Sequence, residues 1–342
     1  MRFATYNVEW FNALFDDDGH MLNDDGRSAR YQVSRAEQLN AAGAVFAALD
    51  ADAIMVIEAP DTNSKRSSKI ALEGFAAAFG LRADRALIGF ANDTQQEIAL
   101  LYDPEQMSCT HDPQGEQSAA SDAPRFDGTF RIDLDIDDRQ DKVDFSKPPL
   151  EVAVELKTGF KFRLIGAHLK SKAPHGARSD KEAMRMAIAN RRKQQAQAIW
   201  LRRRVLQHLN QEEPIMVMGD LNDGPGLDAY EQLFGRSSVE VILGNRETQD
   251  LTLFDPHAEH ALSRRMGAVH TTARFYNKKE KRYLQALLDY IMVSDHFLHK
   301  RPSWRIWHPF DDPDCWQCSE LSRSLLTASD HFPVTMDVTL ES

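Results

Sequence analysis

The stretch Pro214-Ile-Met-Val-Met-Gly-Asp-Leu-Asn-Asp-Gly224 says most about how this chain folds. Its apolar residues 215–218 are too few for a helix and lie between a proline and a glycine, which indicates a short buried strand. Asp220 and Asn222 follow at once, and they share a face if the strand continues, because side chains alternate along a strand. A carboxylate beside an amide can hold a metal ion, a water molecule or a phosphoryl oxygen. Taken alone, the same residues also fit a solvated turn.

Other apolar runs of the chain also end in polar residues. Each of these residues has an ordinary explanation by itself, such as a helix cap or a partly buried histidine. A strand nevertheless holds the side chains at its end rigidly, so several such ends can build one site. The residues are Asn7 in the strand Arg2–Trp10, Glu58 after Ala53–Ile57, His168 after Lys161–Ala167, Asp289 within Leu287–Val293, and Asp330 with His331 before a last strand that ends at Leu340.

Asp289 is the hardest of these residues to explain as a solvated side chain, because it interrupts an apolar run. A buried carboxylate is costly unless it is paired, and His331 is the natural partner, since a carboxylate orients a histidine and keeps it basic. Glu58, Asp220 and Asp330 together would repel one another without a cation. Oxygen ligands favour Mg²⁺, Mn²⁺ or Ca²⁺ over zinc. A hard divalent ion and a His–Asp pair together fit the hydrolysis of a phosphate ester, because the ion neutralises phosphoryl oxygens and the leaving group while a base positions the attacking water.

Apolar residues at helical spacing and at strand spacing alternate along the chain, which predicts an α/β protein. We interpret it as a single domain over residues 1–342, with surface insertions at about 105–147 and 227–283. The first insertion contains one strand candidate, Phe130–Ile136. The remaining predicted helices cover about 32–49, 69–79 and 180–209, and the remaining strands cover 98–102 and 150–157.

The composition excludes several classes of protein. The 342 residues include 41 basic and 52 acidic side chains, a formal net charge of −11, which argues against a protein that coats nucleic acid non-specifically. No apolar run approaches the roughly 20 residues of a membrane span. Residues 1–7 lack the apolar core of a signal peptide, so we expect a cytoplasmic protein, or a secreted one if a leader was removed upstream. Three cysteines imply no disulfide framework, and Cys315 and Cys318 are interpreted as free thiols.

Six short motifs gather the polar strand ends, in this order: Thr5-Tyr-Asn-Val-Glu-Trp10, Asp52-Ala-Ile-Met-Val-Ile-Glu58, His168-Leu-Lys-Ser171, Gly219-Asp-Leu-Asn222, Leu288-Asp-Tyr-Ile291 and Ser329-Asp-His-Phe-Pro333. Together they resemble the endonuclease/exonuclease/phosphatase superfamily, in its deoxyribonuclease-like branch, over nearly the whole chain. The resemblance implies a four-layer α/β/β/α sandwich with two mixed β-sheets. It places the active site where the strand ends meet.

The resemblance also implies roles for the metal ligands and for the residues around the attacking water. Glu58 would be the principal metal ligand, supported by Asn7 and Asp330. Mg²⁺ is the expected ion, with Mn²⁺ or Ca²⁺ as alternatives. Asp220 and Asn222 would hold the attacking water and the phosphoryl group.

Two histidines complete the site that the resemblance implies. His331, oriented by Asp289, would act as a base or would stabilise the phosphate, and the family leaves open whether it or Asp220 takes the proton. His168 would face the scissile phosphate or the leaving oxygen. Members of this branch pair that histidine with a carboxylate from a preceding strand, for which Glu97 is the candidate.

The substrate is less determined than the chemistry, because the superfamily includes nucleases, sphingomyelinases and inositol-phosphate phosphatases. We favour a nuclease acting on DNA or RNA, since His168-Leu-Lys-Ser-Lys172 resembles the run in bacterial secreted nucleases. Lys147 stands where many members have a phosphate-binding arginine, and lysine keeps the charge but loses the bidentate fork. Basic residues after His168 could grip flanking phosphates: Lys170, Lys172, His175 and Arg178. A phosphatase or sphingomyelinase-like phospholipase acting on a small-molecule or lipid phosphoester is the alternative, and a non-catalytic binding module is the remote one.

Several other conspicuous groups are interpreted without a functional role. Asp223 is predicted to be a solvated turn residue. The clusters Arg191-Arg-Lys193 and Arg202-Arg-Arg204 are predicted to lie on a solvated outer face of the long helix. The aromatic stretch from Trp304 to Trp316 is interpreted as core packing. The oligomeric state, the number of metal ions, and endo- versus exo-action stay open.

Overall fold

Two mixed β-sheets stacked face to face form the centre of the fold. The computed structural model describes residues 1–92, 94, 96–117, 122–134, 141–174, 176–224, 235–245, 251–263, 270–277 and 281–340. Among these residues, no helix combines the length and the apolar composition that crossing a membrane requires.

Strands and helices alternate along most of the chain. The strands are β1 (Arg2–Asn7), β2 (Ala53–Pro60), β3 (Arg85–Ile88), β4 (Gln96–Tyr102), β5 (Met107–His111), β6 (Phe130–Ile132), β7 (Asp141–Val143), β8 (Leu150–Leu156), β9 (Lys161–His168), β10 (Ile215–Asp220), β11 (Ala273–Asn277), β12 (Arg282–Ala286), β13 (Asp289–Val293), β14 (Ser303–Ile306) and β15 (Val334–Asp337). The helices are α1 (Arg35–Leu49), α2 (Ser68–Ala78), α3 (Asp180–Asn210), α4 (Ser238–Leu243), α5 (Pro256–Ser263), α6 (Asp295–Leu298), α7 (Pro313–Gln317) and α8 (Ser319–Ala328).

Each large sheet contains one parallel pair of strands. The larger sheet has the order β14-β15-β1-β2-β4-β3, and the smaller has the order β13-β10-β9-β8-β5. β1 and β2 are parallel in the first sheet, as are β9 and β10 in the second, whereas their other neighbours are antiparallel. The parallel pairs bring the ends of β1, β2, β9 and β10 to corresponding edges of the two sheets. β11 with β12, and β6 with β7, form separate hairpins.

Both faces of the larger sheet are buried, which explains why its central strands are continuous apolar runs. Along β2, Met55 and Ile57 belong to the cluster between the two sheets. Ile54 and Val56 alternate with them and belong to the cluster under α1, α2 and α8. Helix α3 covers the outer face of the smaller sheet. The predicted four-layer α/β/β/α sandwich is therefore confirmed.

Helix and strand ends follow local capping chemistry. Ser34 caps α1 in a reciprocal capping box with Glu37, so the helix begins at Arg35 and not at the predicted residue 32. Ser179 caps the 31-residue α3 by accepting a hydrogen bond from the Glu182 amide. The strand predicted over Arg2–Trp10 ends at Asn7.

Parts of the two stretches predicted as surface insertions contribute to the core. Strand β5 pairs with β8 as the edge of the smaller sheet. In the second stretch, Val241 and Ile242 of α4 are buried in the main cluster. Residues 227–234, 246–250, 264–269 and 278–280 of that stretch lie outside the described residues.

Trp200 ties the first of these stretches to α3. Its ring stacks on Phe130 at a centroid distance of 5.3 Å and contacts Phe126 and Phe145 at 5.5 and 5.0 Å. Its indole nitrogen donates a hydrogen bond to the Pro124 carbonyl oxygen at 2.8 Å. The strand candidate Phe130–Ile136 is confirmed as far as Ile132, and its last two residues lie outside the described part of the chain.

The aromatic stretch near the C-terminus is mostly core packing, as predicted. Trp307 is buried and donates a hydrogen bond to Thr335 Oγ1 at 3.0 Å, and Trp304 donates to the Ile291 carbonyl at 2.8 Å. Trp316 departs from the prediction, with 63% of its surface exposed. All three cysteines are free thiols, as predicted for Cys315 and Cys318.

Replacing Trp200 with alanine should lower the free energy of unfolding by about 3–5 kcal/mol, because the substitution opens a cavity between α3 and three phenylalanines. Urea denaturation followed by circular dichroism measures the change. Trp316→Ala is the matched control and should change the value by less than about 0.5 kcal/mol. Equal effects of the two substitutions would contradict the role assigned to the buried ring.

Candidate active site

The ends of five strands and the loop before β15 meet in one cleft of about 930 Å³. The cleft gathers most of the site residues predicted from the sequence: Asn7, Glu58, Lys147, His168, Lys170, Asp220, Asn222, Asp330 and His331. Asp289 lies directly behind the lining, and Glu97 is buried nearby without lining the cleft.

Unusual backbone conformations hold three of the residues at the base of the cleft. Glu58 has a φ of +63° at a bulge in the pairing of β2 with β4, and Asn222 has a φ of +51°. Gly219 has a φ of +138°, and a Cβ added there would collide with the carbonyl oxygen of Ala167. Left-handed backbone is uncommon for residues with side chains and concentrates at functional sites. Only glycine permits β10 to approach β9 this closely before Asp220.

Asp220 is the centre of the site. The Asn7 side-chain amide donates to its Oδ2 at 3.0 Å, and the Asn222 side-chain amide donates to the same oxygen at 3.2 Å. The backbone N–H of Asn222 donates to Oδ1 at 2.7 Å. The Nε2 atoms of His168 and His331 lie 3.6 and 3.9 Å from Oδ2. Two amides and two imidazoles therefore surround one buried carboxylate.

Burial raises the pKa of Asp220 to about 7, because charged carboxylates are disfavoured away from water, while the neighbouring His331 partly opposes the shift. A group whose pKa is close to neutral can exchange a proton during a reaction at physiological pH. Asp220 is therefore suited to accept a proton from a water molecule held beside it.

His331 forms a short hydrogen bond with Asp289, as predicted. The Nδ1 of the imidazole lies 2.7 Å from Asp289 Oδ2. Burial disfavours the imidazolium, but the carboxylates of Asp289 and Asp220 outweigh it and raise the pKa of His331 well above its usual value. Because Nδ1 is bonded to Asp289, a protonated His331 directs its Nε2–H into the cleft, where it can donate to an anion.

His168 is held in the neutral state. Burial and the Lys147 ammonium lower the pKa of His168 well below its usual value. The Lys147 Nζ lies 3.3 Å from His168 Nδ1, and since an ammonium can only donate, Nδ1 must accept and Nε2 carries the hydrogen. Lys147 also donates to Gln96 Oε1 at 2.5 Å.

The structure does not place Glu97 beside His168, contrary to the predicted pairing. Glu97 accepts hydrogen bonds from the Asn92 side chain at 2.6 Å and from the Thr62 amide at 3.4 Å. Among the described residues, the carboxylate within 4 Å of His168 is that of Asp220. Glu97 sits where the bulge shifts the register of β2 against β4, which turns its side chain toward the loops.

A second group of oxygen ligands lies beside Asn7. The Glu58 carboxylate accepts hydrogen bonds from the Trp10 amide at 3.1 Å and from the Gln96 side chain at 2.5 Å. Burial raises the pKa of Glu58, and the Asp330 carboxylate adds to that shift. The Asn7 Oδ1 atom is buried and has no hydrogen-bond partner among the described residues. Such an oxygen beside close carboxylates fits a hard divalent cation, which would satisfy the oxygen and neutralise the charge.

Asp220, Asp289 and His331 form another candidate cluster, with ligand atoms within 4.8 Å of one another. The hydrogen bond between His331 Nδ1 and Asp289 explains much of this closeness. The oxygen atoms of Glu58 and Asn7, together with Asp330, are therefore a second candidate cation site.

Sequence reasoning missed two residues beside this ion site. Glu9 lines the cleft, and burial together with the nearby Asp330 carboxylate raises the pKa of Glu9 to about 7. Arg30 forms an ion pair with it. Gln96 links Glu58 to Lys147. Glu9 could have been found from the sequence, because it lies two residues after Asn7 in the same motif. Nothing in the sequence distinguished Gln96.

Asp223 is buried and paired, so its interpretation as a solvated turn residue was wrong. Its carboxylate bonds to Arg191 Nη1 at 2.6 Å, to Lys172 Nζ at 2.7 Å and to the Ser238 amide at 2.6 Å. Gln194, one turn further along α3, donates to the carbonyl oxygens of Asn222 and Lys170 at 2.9 and 3.0 Å. This network fixes the loop after β10 to the long helix.

The two basic clusters of α3 were also predicted incorrectly in part. Arg191, Arg202 and Arg204 are buried, although both clusters were expected on a solvated face. Arg204 Nε lies 3.0 Å from the buried Glu151 carboxylate. Besides the smaller sheet, α4 and the segment 122–132 also pack against this helix. More of its surface is therefore buried than contact with the sheet alone would bury. His175, expected among the phosphate-gripping residues, lies outside the described residues.

The two-sheet sandwich and the carboxylate–amide–histidine cleft define a metal-dependent phosphoesterase. A family model described as the endonuclease/exonuclease/phosphatase family matches residues 4–331, and the chain belongs to that family. No curated protein matches the chain significantly in sequence.

Solved structures share the fold over the full length. A 3′ phosphatase from Neisseria, bound to a product DNA hairpin, is 13% identical with a TM-score of 0.51, and the match covers 99% of this chain and 100% of that one. A 3′-5′ exonuclease from Neisseria meningitidis is 13% identical with a TM-score of 0.50 at the same coverage. A family member from Bacteroides vulgatus is 15% identical with a TM-score of 0.49, covering 99% and 98% of the two chains.

Replacing Asp289 with asparagine should lower the pKa of His331 in the metal-free protein, because the imidazolium loses its carboxylate partner. Histidine NMR titration measures this change, and the exposed His299 provides an internal control. If His331 titrates at the same pH in both proteins, the assigned pair is contradicted.

The same substitution should change the pH dependence of stability. A raised pKa in the folded state contributes stability that is complete below the unfolded pKa of about 6.5 and is lost as pH rises through the folded value. The difference in unfolding free energy between wild type and Asp289→Asn should therefore be largest below pH about 6.5 and should shrink at higher pH. Urea denaturation at several pH values measures it.

Asp223→Asn should destabilise the protein by about 3 kcal/mol or more, since it removes the carboxylate that neutralises the buried Arg191. Thermal or urea denaturation measures the effect. Asp314→Asn, at a side chain that is 78% exposed, is the matched control and should have little effect. A similarly small effect of Asp223→Asn would show that the residue is solvated after all.

Proposed function

We propose that the chain hydrolyses phosphodiester bonds in nucleic acid with the help of a divalent cation, Mg²⁺ being preferred. The observation that carries the proposal is the convergence of two imidazole Nε2 atoms, at 3.6 and 3.9 Å, on the buried carboxylate of Asp220. A carboxylate with a pKa of about 7 supports a proton-accepting role, and the adjacent N–H groups support a role in binding an anion.

In this mechanism Asp220 orients a water molecule and accepts its proton as the water oxygen forms a bond to phosphorus. The bond from phosphorus to the ester oxygen breaks on the opposite side. His331, kept protonated by Asp289, donates its Nε2–H to a phosphoryl oxygen. His168 donates its Nε2–H toward the leaving oxygen, and Asn222, whose side-chain amide donates to Asp220 and to the Leu169 carbonyl, holds Asp220 in position beside the water. A cation held by Glu58, Asn7 and Asp330 would neutralise negative charge on the phosphoryl oxygens and the leaving group.

The rim of the cleft supports a nucleic-acid substrate. Lys170 lines it, and no acidic side chain among the described residues forms an ion pair with its ammonium. Trp10 and Phe275 also line it and are 43% and 37% exposed, so their rings are available to stack on bases. The Neisseria 3′ phosphatase that shares the fold is bound to a product DNA hairpin, which is the class of ligand proposed here.

Purified protein with Mg²⁺ should cleave plasmid DNA or RNA, and EDTA should abolish the reaction. Asp220→Asn and His331→Ala should each lower kcat by about 10²–10⁴-fold, because each removes a group that moves or binds charge in the transition state. Asp314→Asn and His299→Ala are the matched controls and should retain wild-type rates. Glu58→Gln should raise the Mg²⁺ concentration needed for half-maximal activity.

A panel of other phosphoesters separates the alternatives. Hydrolysis of a sphingomyelin or phosphoinositide analogue, with no cleavage of DNA or RNA, would replace the proposal with a phospholipase or phosphatase function. Failure to hydrolyse even bis(p-nitrophenyl) phosphate, together with failure to bind a divalent ion, would indicate a non-catalytic binding module.

A further inference from the structure

Three histidines outside the cleft form a cluster that the phosphoesterase site does not use. His257 and His260 lie three positions apart on α5, so they project from neighbouring points of one helix face. His270 comes from the segment before β11. The ring centroid of His270 lies 5.3 Å from that of His257 and 5.6 Å from that of His260.

These separations match those of imidazoles that share one metal ion. With a metal–nitrogen distance of about 2.0–2.1 Å and tetrahedral angles, two coordinated imidazole rings have centres roughly 5 Å apart. The ring nitrogens of the three histidines do not all lie within 4.8 Å of one another in this conformation. His260 is half-buried and His270 is exposed, and binding one ion would require the rings to turn about their Cβ–Cγ bonds so that each directs a nitrogen inward.

His257 lies beside a buried carboxylate. Its Nδ1 is 3.9 Å from Asp255 Oδ1, which is a close electrostatic contact but too long for a hydrogen bond. Asp255 is itself fully buried and is fixed by the amides of His257, Ala258 and Ile291.

His308 lies near this cluster but is committed to other contacts. Its Nδ1 accepts hydrogen bonds from the amides of Phe310 and Asp311 at 3.2 and 3.1 Å. Its Nε2 lies 3.3 Å from Thr271 Oγ1. With both nitrogens engaged, His308 is not one of the ligands.

We propose that His257, His260 and His270 form a second metal site, which binds Zn²⁺ or a similar borderline ion such as Co²⁺, Ni²⁺ or Cu²⁺. Imidazole nitrogens favour these ions over Mg²⁺, in contrast to the oxygen ligands around Glu58. Three protein ligands leave a fourth coordination position for water.

Metal binding at the three histidines would stabilise the backbone next to the active site. His270 is followed by Thr271 and Thr272, and the Thr272 Oγ1 accepts hydrogen bonds from the amides of Leu288 and Asp289 at 2.9 and 3.0 Å. The Thr272 carbonyl accepts from the Phe332 amide. A metal that links α5 to this segment would therefore stabilise the backbone around the His331–Asp289 pair without contacting substrate.

Metal-free protein is titrated with Zn²⁺ in the presence of excess Mg²⁺, which occupies the oxygen ligands of the cleft. Wild type should bind one more Zn²⁺ than the double variant His260→Ala/His270→Ala, and zinc should raise the Tm of wild type only. A single His270→Gln variant should bind this zinc at least about tenfold more weakly. Co²⁺ should give the visible absorption bands of a tetrahedral site in wild type alone.

A matched control isolates the site. His299→Ala, at an exposed histidine outside the three proposed ligands, should bind zinc as wild type does. The metal-free Tm of each variant is measured first, and His270→Gln replaces the double variant if the latter is destabilised. Equal zinc stoichiometry and affinity in wild type and His270→Gln would overturn the proposal.

The zinc proposal does not depend on the proposed function, since binding is measured without substrate. Adding His270→Gln to Asp220→Asn should remove the same one zinc ion as it removes from wild type, even though Asp220→Asn is inactive. The two proposals are therefore distinguished by separate outcomes. His270→Gln should lose the zinc ion and keep nuclease activity, whereas Asp220→Asn should lose nuclease activity and keep this zinc ion.

Discussion

The burial of the Asp220 carboxylate is the constraint on which the rest of the site depends. A charged group at this depth needs polar partners, and these come from different parts of the fold. Asn7 from β1 and Asn222 from the loop after β10 donate hydrogen bonds to it, and the imidazoles of His168 from β9 and His331 from the loop before β15 lie within 4 Å. Bringing these partners together requires both sheets to end at the same place. The same burial raises the pKa of Asp220 to about 7, as the proposed role in accepting a proton requires.

The site divides its charge between two sides of Asn7. Its amide nitrogen donates a hydrogen bond to Asp220, and its amide oxygen is buried without a hydrogen-bond partner among the described residues. One side chain therefore stabilises Asp220 and offers a buried oxygen that a cation could satisfy. A glutamine or aspartate at this position would disturb both, the first by its length and the second by adding a negative charge.

The long helix α3 positions the site from behind the smaller sheet. Arg191 and Gln194, one turn apart, hold the loop after β10 through Asp223 and the Asn222 carbonyl. Charged side chains at these positions resemble a solvated face when the helix is considered alone. They are buried because the loop carries complementary groups, and that complementarity exists only once α3 lies across the strand ends. The same reason explains the buried ion pair of Arg204 with Glu151.

The amino-acid sequence by itself predicted an α/β protein and the polar strand-end residues that line the cleft, because short apolar runs ending in polar residues are local features that need no partner to be recognised. The two-sheet sandwich was implied by the resemblance of six motifs to a known superfamily and not by any local pattern. The sequence also indicated the His331–Asp289 pair, since a carboxylate within an apolar strand requires one. Only the tertiary structure decided which groups meet across the chain. It placed Glu97 with Asn92 and not with His168, buried Asp223 against Arg191, and brought His270 to α5. Such pairings depend on the register of strands and on the path of loops, which no local pattern specifies.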